Sequence, residues 1–242
     1  VRDQIIKYKK EGELFRVIDP QASRTNEWGK YHIEDILGYH PAKLQSYQNI
    51  ILSEYVLNML NVKYEIKNNQ IKHRALAKDR SFFVDKVSTI SDISKRIDFY
   101  KKNINPGREV LITDQNWTMG EREYFLNEKD RIIKINNSNP NEIIIDVATS
   151  GPQFLVLGEI FYPNGWYATV DHKPVEIFEV NDLIRGIFIE GAGDHLIRMW
   201  YSPSDLKWGK WMSWFGFILI FGLEFISFLF NLLQYIFNLV NP

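Results

Sequence analysis

Residues 150–171 read SGPQFLVLGEIFYPNGWYATVD, and this stretch decides the fold. Residues 154–160 (FLVLGEI) are an almost unbroken apolar run, too short for a core helix. Such a run reads as a strand covered on both faces. Ser150-Gly151-Pro152 turns the chain before it, and Tyr162-Pro163-Asn164-Gly165 turns it afterwards. Trp166, Ala168 and Val170 then fall on one face of a second strand. Outward from here the same rhythm continues. Asp171-His172-Lys173-Pro174 reads as a tight hairpin, and Val175 and Ile177 begin its return. Residues 183–189 supply a further strand, and Gly191-Ala192-Gly193-Asp194 turns into another at 195–201. Upstream, Ile143, Ile145 and Val147 alternate with polar residues. About seven short strands with regular turn signals describe an antiparallel β-sandwich.

Further upstream the pattern changes. Residues 14–18 (LFRVI) form a short strand ended by Asp19-Pro20. Pro41 opens a predicted helix, with Leu44, Tyr47, Ile51, Tyr55 and Met59 as its buried stripe. Residues 62–66 alternate as a strand, Asn68-Asn69 is a turn, and Ile71 starts a return strand. Residues 81–90 (SFFVDKVSTI) read as one strand, 91–103 as an amphipathic helix, and 114–129 as loop. The chain is therefore expected to be α+β. A mixed α/β region over 1–130 precedes a β-sandwich over 131–205 and an apolar helix over 211–236.

That last segment carries a single ionisable residue, Glu224. Residues 214–235 would span about 33 Å as a helix, enough to cross the hydrocarbon core. Trp208, Trp211 and Trp214 at one end and Tyr235 at the other match an aromatic belt. Glu224 falls near mid-span, either facing another helix or an aqueous site, or tolerated there in protonated form. Lys207 and Lys210 precede the span; the positive-inside rule, taken alone, would put the preceding residues in the cytoplasm.

Composition excludes several classes. The 242 residues carry 29 basic and 30 acidic side chains, a net charge of −1. This balance argues against nucleic-acid binding, which needs a basic surface. With no cysteine, disulfide scaffolds, thiolate metal sites and cysteine nucleophiles are ruled out. The five histidines (32, 40, 73, 172 and 195) lack metal-ligand spacing, and no P-loop, HExxH, GxGxxG or GxSxG motif occurs. No catalytic residue, metal or cofactor is expected within these residues.

Three features are candidates for ligand contact. Tyr39, His40 and Lys43 lie around the start of the predicted helix and either bind an anionic or sugar group or form its capping turn. Tyr162, Asn164 and Trp166 either stack on and bond to sugar at the sandwich edge or fill its core. Arg185 interrupts an apolar strand, as a buried charge paired with Glu159 or Glu179 or as a surface residue. Asn116-Trp117-Thr118 and Asn136-Asn137-Ser138 fit the N-glycosylation pattern, which is short enough to arise by chance.

Several segments in order resemble the C-terminal part of the YfhO family of bacterial membrane proteins. They are FRVID (15–19), ILGYHPAKLQSYQ (36–48), VLNMLNVKYEI (56–66), SFFVDKV (81–87), the stretch 150–171, and VEIFEVNDLIRGIFIEGAGDHLIRMWYSP (175–203). The resemblance implies a GT-C-type integral membrane glycosyltransferase that moves sugar from a polyprenyl-phosphate carrier to cell-envelope polymers. It implies that this chain is the C-terminal, extracytoplasmic portion, partnered by the bilayer, by a preceding transmembrane bundle and by glycan or carrier-linked sugar. The catalytic carboxylate of GT-C enzymes lies in an early extracytoplasmic loop, so no residue here inherits it. Asp171-His172 stands where the family commonly has Asp-Gly, which puts in doubt a ligand role for that hairpin. The alternative is a non-catalytic, membrane-anchored carbohydrate-binding or structural module.

Overall fold

The computed structural model describes residues 1–23, 25–38, 44–48 and 52–240. The chain begins with α1 (Arg2–Lys10), β1 (Arg16–Ile18), a 3-10 turn (Glu27–Tyr31), β2 (Glu34–Asp35), α2 (Gln45–Gln48) and α3 (Glu54–Met59). It continues with β3 (Val62–Lys67), β4 (Gln70–His73), β5 (Ser81–Phe83), β6 (Lys86–Ser88), α4 (Ile93–Lys102), β7 (Glu109–Leu111) and β8 (Arg122–Glu123). The strand-rich part holds β9 (Arg131–Asn139), β10 (Glu142–Thr149), β11 (Gln153–Ile160), β12 (Trp166–Val170), β13 (Lys173–Val175), β14 (Phe178–Val180), β15 (Ile184–Ile189) and β16 (Gly193–Tyr201). Last comes α5 (Ser204–Val240). Helices and mostly antiparallel sheets make this an α+β protein.

Two sheets stack as the sandwich. One has the order β13-β12-β16-β10-β9, the other β14-β15-β11-β5. Ile143, Ile145, Val147, Ala168, Val170, Ile197 and Met199 from the first face Leu155, Leu157, Ile187 and Ile189 from the second. The strand from 154 is central, as its continuous apolar run predicts. Alternate residues Phe154 and Val156 point the other way, into a second core with Tyr55, Met59, Val87, Val110 and Ile184. Burial on both faces removes any need for polar alternation in β11. Gly158 sits where this strand meets the end of α3. A Cβ there would lie 2.9 Å from the carbonyl oxygen of Met59, so only glycine allows the approach.

A further sheet, β2-β1-β3-β4, carries α1 and a third core around Phe15, Val17, Trp28 and Tyr64. An ionic cluster with buried arginines and a half-exposed Glu34 ties it to the sandwich. Arg16 donates to Glu34 at 2.7 Å and to Glu159 at 3.1 Å, and also to the carbonyls of Leu60 and Gly158. Arg80 donates to the same two carboxylates. Burial raises the Glu34 pKa, but hydrogen bonds and charge from Arg80 and Arg16 outweigh it and bring the group down to about 2.

Four elements differ from the sequence reading, the first being β8, which pairs with β6 inside the stretch 114–129 expected as loop. The single helix expected from residue 41 is two short helices, α2 and α3, in the described residues. Ser53 stays extended and caps α3 by accepting from the Val56 amide, so the chain restarts rather than continues. Leu44 is exposed as a result, while Tyr55 and Met59 are buried. The strand expected over 81–90 is split. Its first half, β5, pairs with β11, and its second half, β6, pairs with β7 and β8 in a separate three-stranded sheet. Helix α1 lies in a stretch that shows no signal in the sequence reading. The turns, by contrast, are as expected. Asn68-Asn69 and Asp171-His172 all take positive φ, as two-residue hairpin loops require.

Candidate functional site

A cleft of about 730 Å³ opens at one edge of the sandwich. Its position follows from strand length. β13 pairs with β12 only as far as Val175 opposite Ala168. The chain then crosses through Glu176 and Ile177 to β14 in the other sheet, leaving Trp166 and Tyr167 beyond the paired edge. The segment 113–116 closes the far side. Thr113 donates its amide to the Glu179 carbonyl at 3.1 Å, and Asp114 accepts the Glu179 amide at 3.3 Å.

Aromatic residues form one wall. Tyr167 and Trp200 are cross-strand partners with ring centroids 5.8 Å apart and an interplanar angle of 25°. Tyr162, Phe161 and Trp166 complete the lining on that side. Trp166 also packs against the sandwich core, so it belongs to both the lining and the core. The side chain of Arg198 lies 5.1 Å over the Trp200 ring and is itself paired with Glu142 at 2.6 Å.

Carboxylates form the other wall. Asp114, Glu176 and Glu179 line the cleft with Gln115 and Asn116. Asp114 accepts the Asn116 amide at 2.9 Å, an Asx-turn that fixes the loop. Glu179 is half-buried and accepts the Thr113 hydroxyl at 3.2 Å. Burial pushes its carboxyl above the usual range. The charges of Asp182 and Asp114 add to this, while the Thr113 hydroxyl and Arg96 pull it down.

The cleft lies beside the start of α5. The Ser202 amide donates to the Gly165 carbonyl at 2.6 Å, which latches the 162–165 turn to the segment leading into the helix. Gly165 has φ +88°, and a Cβ there would meet Pro203 at 2.9 Å. From Ser204 to Trp214 the helix rises about 15 Å. α5 is the helix, among the described residues, that is long and apolar enough to cross a membrane, and its apolar window is 0% buried.

The sequence-predicted residues fare unequally. Tyr162 and Trp166 line the cleft. Asn164 is exposed in the adjoining turn and does not line it. Arg185 is 5% exposed and lies behind the wall, 4.1 Å over the Trp166 ring, with Nη2 donating to the Ile160 carbonyl at 2.8 Å. Neither expected carboxylate bonds it. Glu159 is engaged by Arg16 and Arg80, and Glu179 by Thr113. Tyr39, His40 and Lys43 lie outside the described residues, as do Pro41 and Ile51. Asp114, Glu176, Tyr167 and Trp200 escaped the sequence reading as site residues, and Glu179 entered it only as an alternative partner of Arg185. Only the Tyr167–Trp200 pair left a signal there, since each falls on the outward phase of an alternating strand.

The described residues hold no cluster of three or more His, Cys, Asp or Glu side chains able to bind a metal ion. No family model, curated protein or solved structure matches the chain.

Proposed function

We propose that this chain is a glycan-binding module held at the outer face of a bacterial cell membrane by α5. On this reading it forms the C-terminal part of a GT-C-type glycosyltransferase and presents glycan or polyprenyl-linked sugar to the transmembrane bundle that performs transfer. The edge cleft carries the reading. Flat aromatic rings beside fixed carboxylate and amide side chains suit the two sides of a sugar, its C–H face and its hydroxyls. The short distance from the cleft to the apolar part of α5 suits a saccharide tethered to the membrane. The resemblance to the YfhO family supplies the reaction class and the outward placement; the cleft supplies the ligand class.

Tryptophan fluorescence of the full chain in detergent micelles tests the reading, with cell-envelope glycan fragments as titrants. Saturable quenching is expected. Tyr167→Ala with Trp200→Ala should weaken binding about tenfold, the scale of one good ring contact. These two rings face outward from the sandwich core, so the folded state should survive their loss. A folded chain that binds no saccharide would overturn the proposal and leave a purely structural module.

A further inference from the structure

The lining of the cleft is unbalanced in charge. Asp114, Glu176 and Glu179 face it, and no Lys, Arg or His is among its lining residues. Three arginines close by are already engaged elsewhere. Arg96 bonds Asp182 at 2.9 Å, Arg198 bonds Glu142, and Arg185 is buried behind Trp166. A phosphate or other anion entering here would meet uncompensated negative charge in a partly desolvated space. A cation would supply the missing counter-charge. The aromatic wall is equally tolerant of positive charge, since two of its indoles already lie against guanidinium groups.

We infer that the cleft is selective for a saccharide unit carrying a free ammonium group, with its ring against Tyr167 and Trp200 and its ammonium between Asp114 and Glu179. This inference rests on the glycan reading above and narrows it. The ammonium would donate to carboxylate oxygens that the Asx-turn at Asp114 and the Thr113–Glu179 hydrogen bond hold in place. The same electrostatics would keep the phosphate of a carrier lipid out of the cleft, so that only the sugar end is read.

The test compares two probes that differ in one group, a glucosamine tetramer and its fully N-acetylated counterpart. Both are titrated into the full chain in neutral detergent at pH 6, where a primary amine is charged. The amine form should bind at least tenfold tighter at low salt, and the preference should shrink as salt is raised. Asp114→Asn with Glu179→Gln should abolish the preference, bringing the affinities for the two tetramers to within about twofold of each other. Equal or tighter binding of the acetylated tetramer to the unaltered chain overturns the ammonium inference and leaves the glycan reading standing. Failure of both tetramers to bind overturns the two together. The comparison on the unaltered chain decides the matter even where the double variant does not fold.

Discussion

Arg185 shows how a residue can support a site without entering it. Its guanidinium lies over Trp166 and donates to the Ile160 carbonyl, yet Nε and Nη1 are buried without a hydrogen-bond partner among the described residues. Burial holds the group down at about 10, with the charge of Glu159 pulling the other way. For a basic group this sign means that folding disfavours the charged form. The penalty is fully present at neutral pH, on the order of 3 kcal/mol, and fades only as pH rises above 10. Part of it is returned by the carbonyl hydrogen bond and the ring contact. Arg185→Met keeps most of the volume and removes the charge, so it should stabilise the protein by about 1 kcal/mol. Urea unfolding at pH 7 reads this directly, and a lower midpoint would mean that the guanidinium is a net stabiliser. The same substitution frees one face of Trp166 from its cation, so glycan affinity should change while that of a Lys replacement changes less. The sequence betrays Arg185 as an oddity in an apolar strand. It does not betray the missing carboxylate, because Glu159 is claimed by two arginines distant in the chain.

Among the elements, those with a local cause were readable and those with a distant cause were not. β11 announces itself because both its faces are covered, and the hairpin at 171–172 because four polar or turn-forming residues interrupt two alternating runs. The start of α3 at Ser53 was hidden, since the apolar spacing on either side fits one continuous helix and only the cap geometry marks a new start. The split of 81–90 was hidden for a similar reason. Both halves suit a strand, and their membership of different sheets is set by β11 and by β7. Asp114 and Glu179 are brought together by pairing between a loop and a strand far along the chain, which no spacing rule detects. The hairpin also carries a prediction. Asp171 and His172 both have positive φ, at +50° and +66°. Asp171 compensates by accepting the Leu196 amide and bonding His195 Nδ1 at 2.7 Å. His172 is exposed and carries the steric cost of the left-handed region. His172→Gly should therefore stabilise the chain by about 1 kcal/mol, with glycan affinity unchanged because neither Asp171 nor His172 lines the cleft. Thermal unfolding of the variant beside the unaltered chain checks the first part, and fluorescence titration the second.

For the whole molecule the decisive contrast is between three buried cores and one bare helix. The cores use residues from α1 through β16, and none of them draws on α5. Along α5, Trp211, Phe215, Ile218, Phe230 and Phe237 are each more than 60% exposed. A soluble monomer does not leave so long an apolar surface in water, so this helix needs an apolar environment that the other described residues do not supply. Glu224 near its middle then becomes the one costly group in the segment, and its cost is the reason to expect that it faces another helix or a polar cavity. A separation of the two parts follows. A chain ending at Pro203 should keep the unfolding free energy of the full chain within about 0.5 kcal/mol, because it loses no core contact. It should also remain in the aqueous phase, whereas the full chain floats with liposomes on a density gradient. If the shortened chain aggregates or unfolds, α5 must cover part of the folded domain, and the helix would be a structural element of the domain instead of its anchor. If it folds and stays soluble but binds saccharide far more weakly than the full chain, then the latch from Ser202 to Gly165 transmits the position of the helix to the cleft. The membrane would in that case be part of the binding site's architecture, since the turn that carries Tyr162 and Trp166 is held by the same few residues that lead into the span.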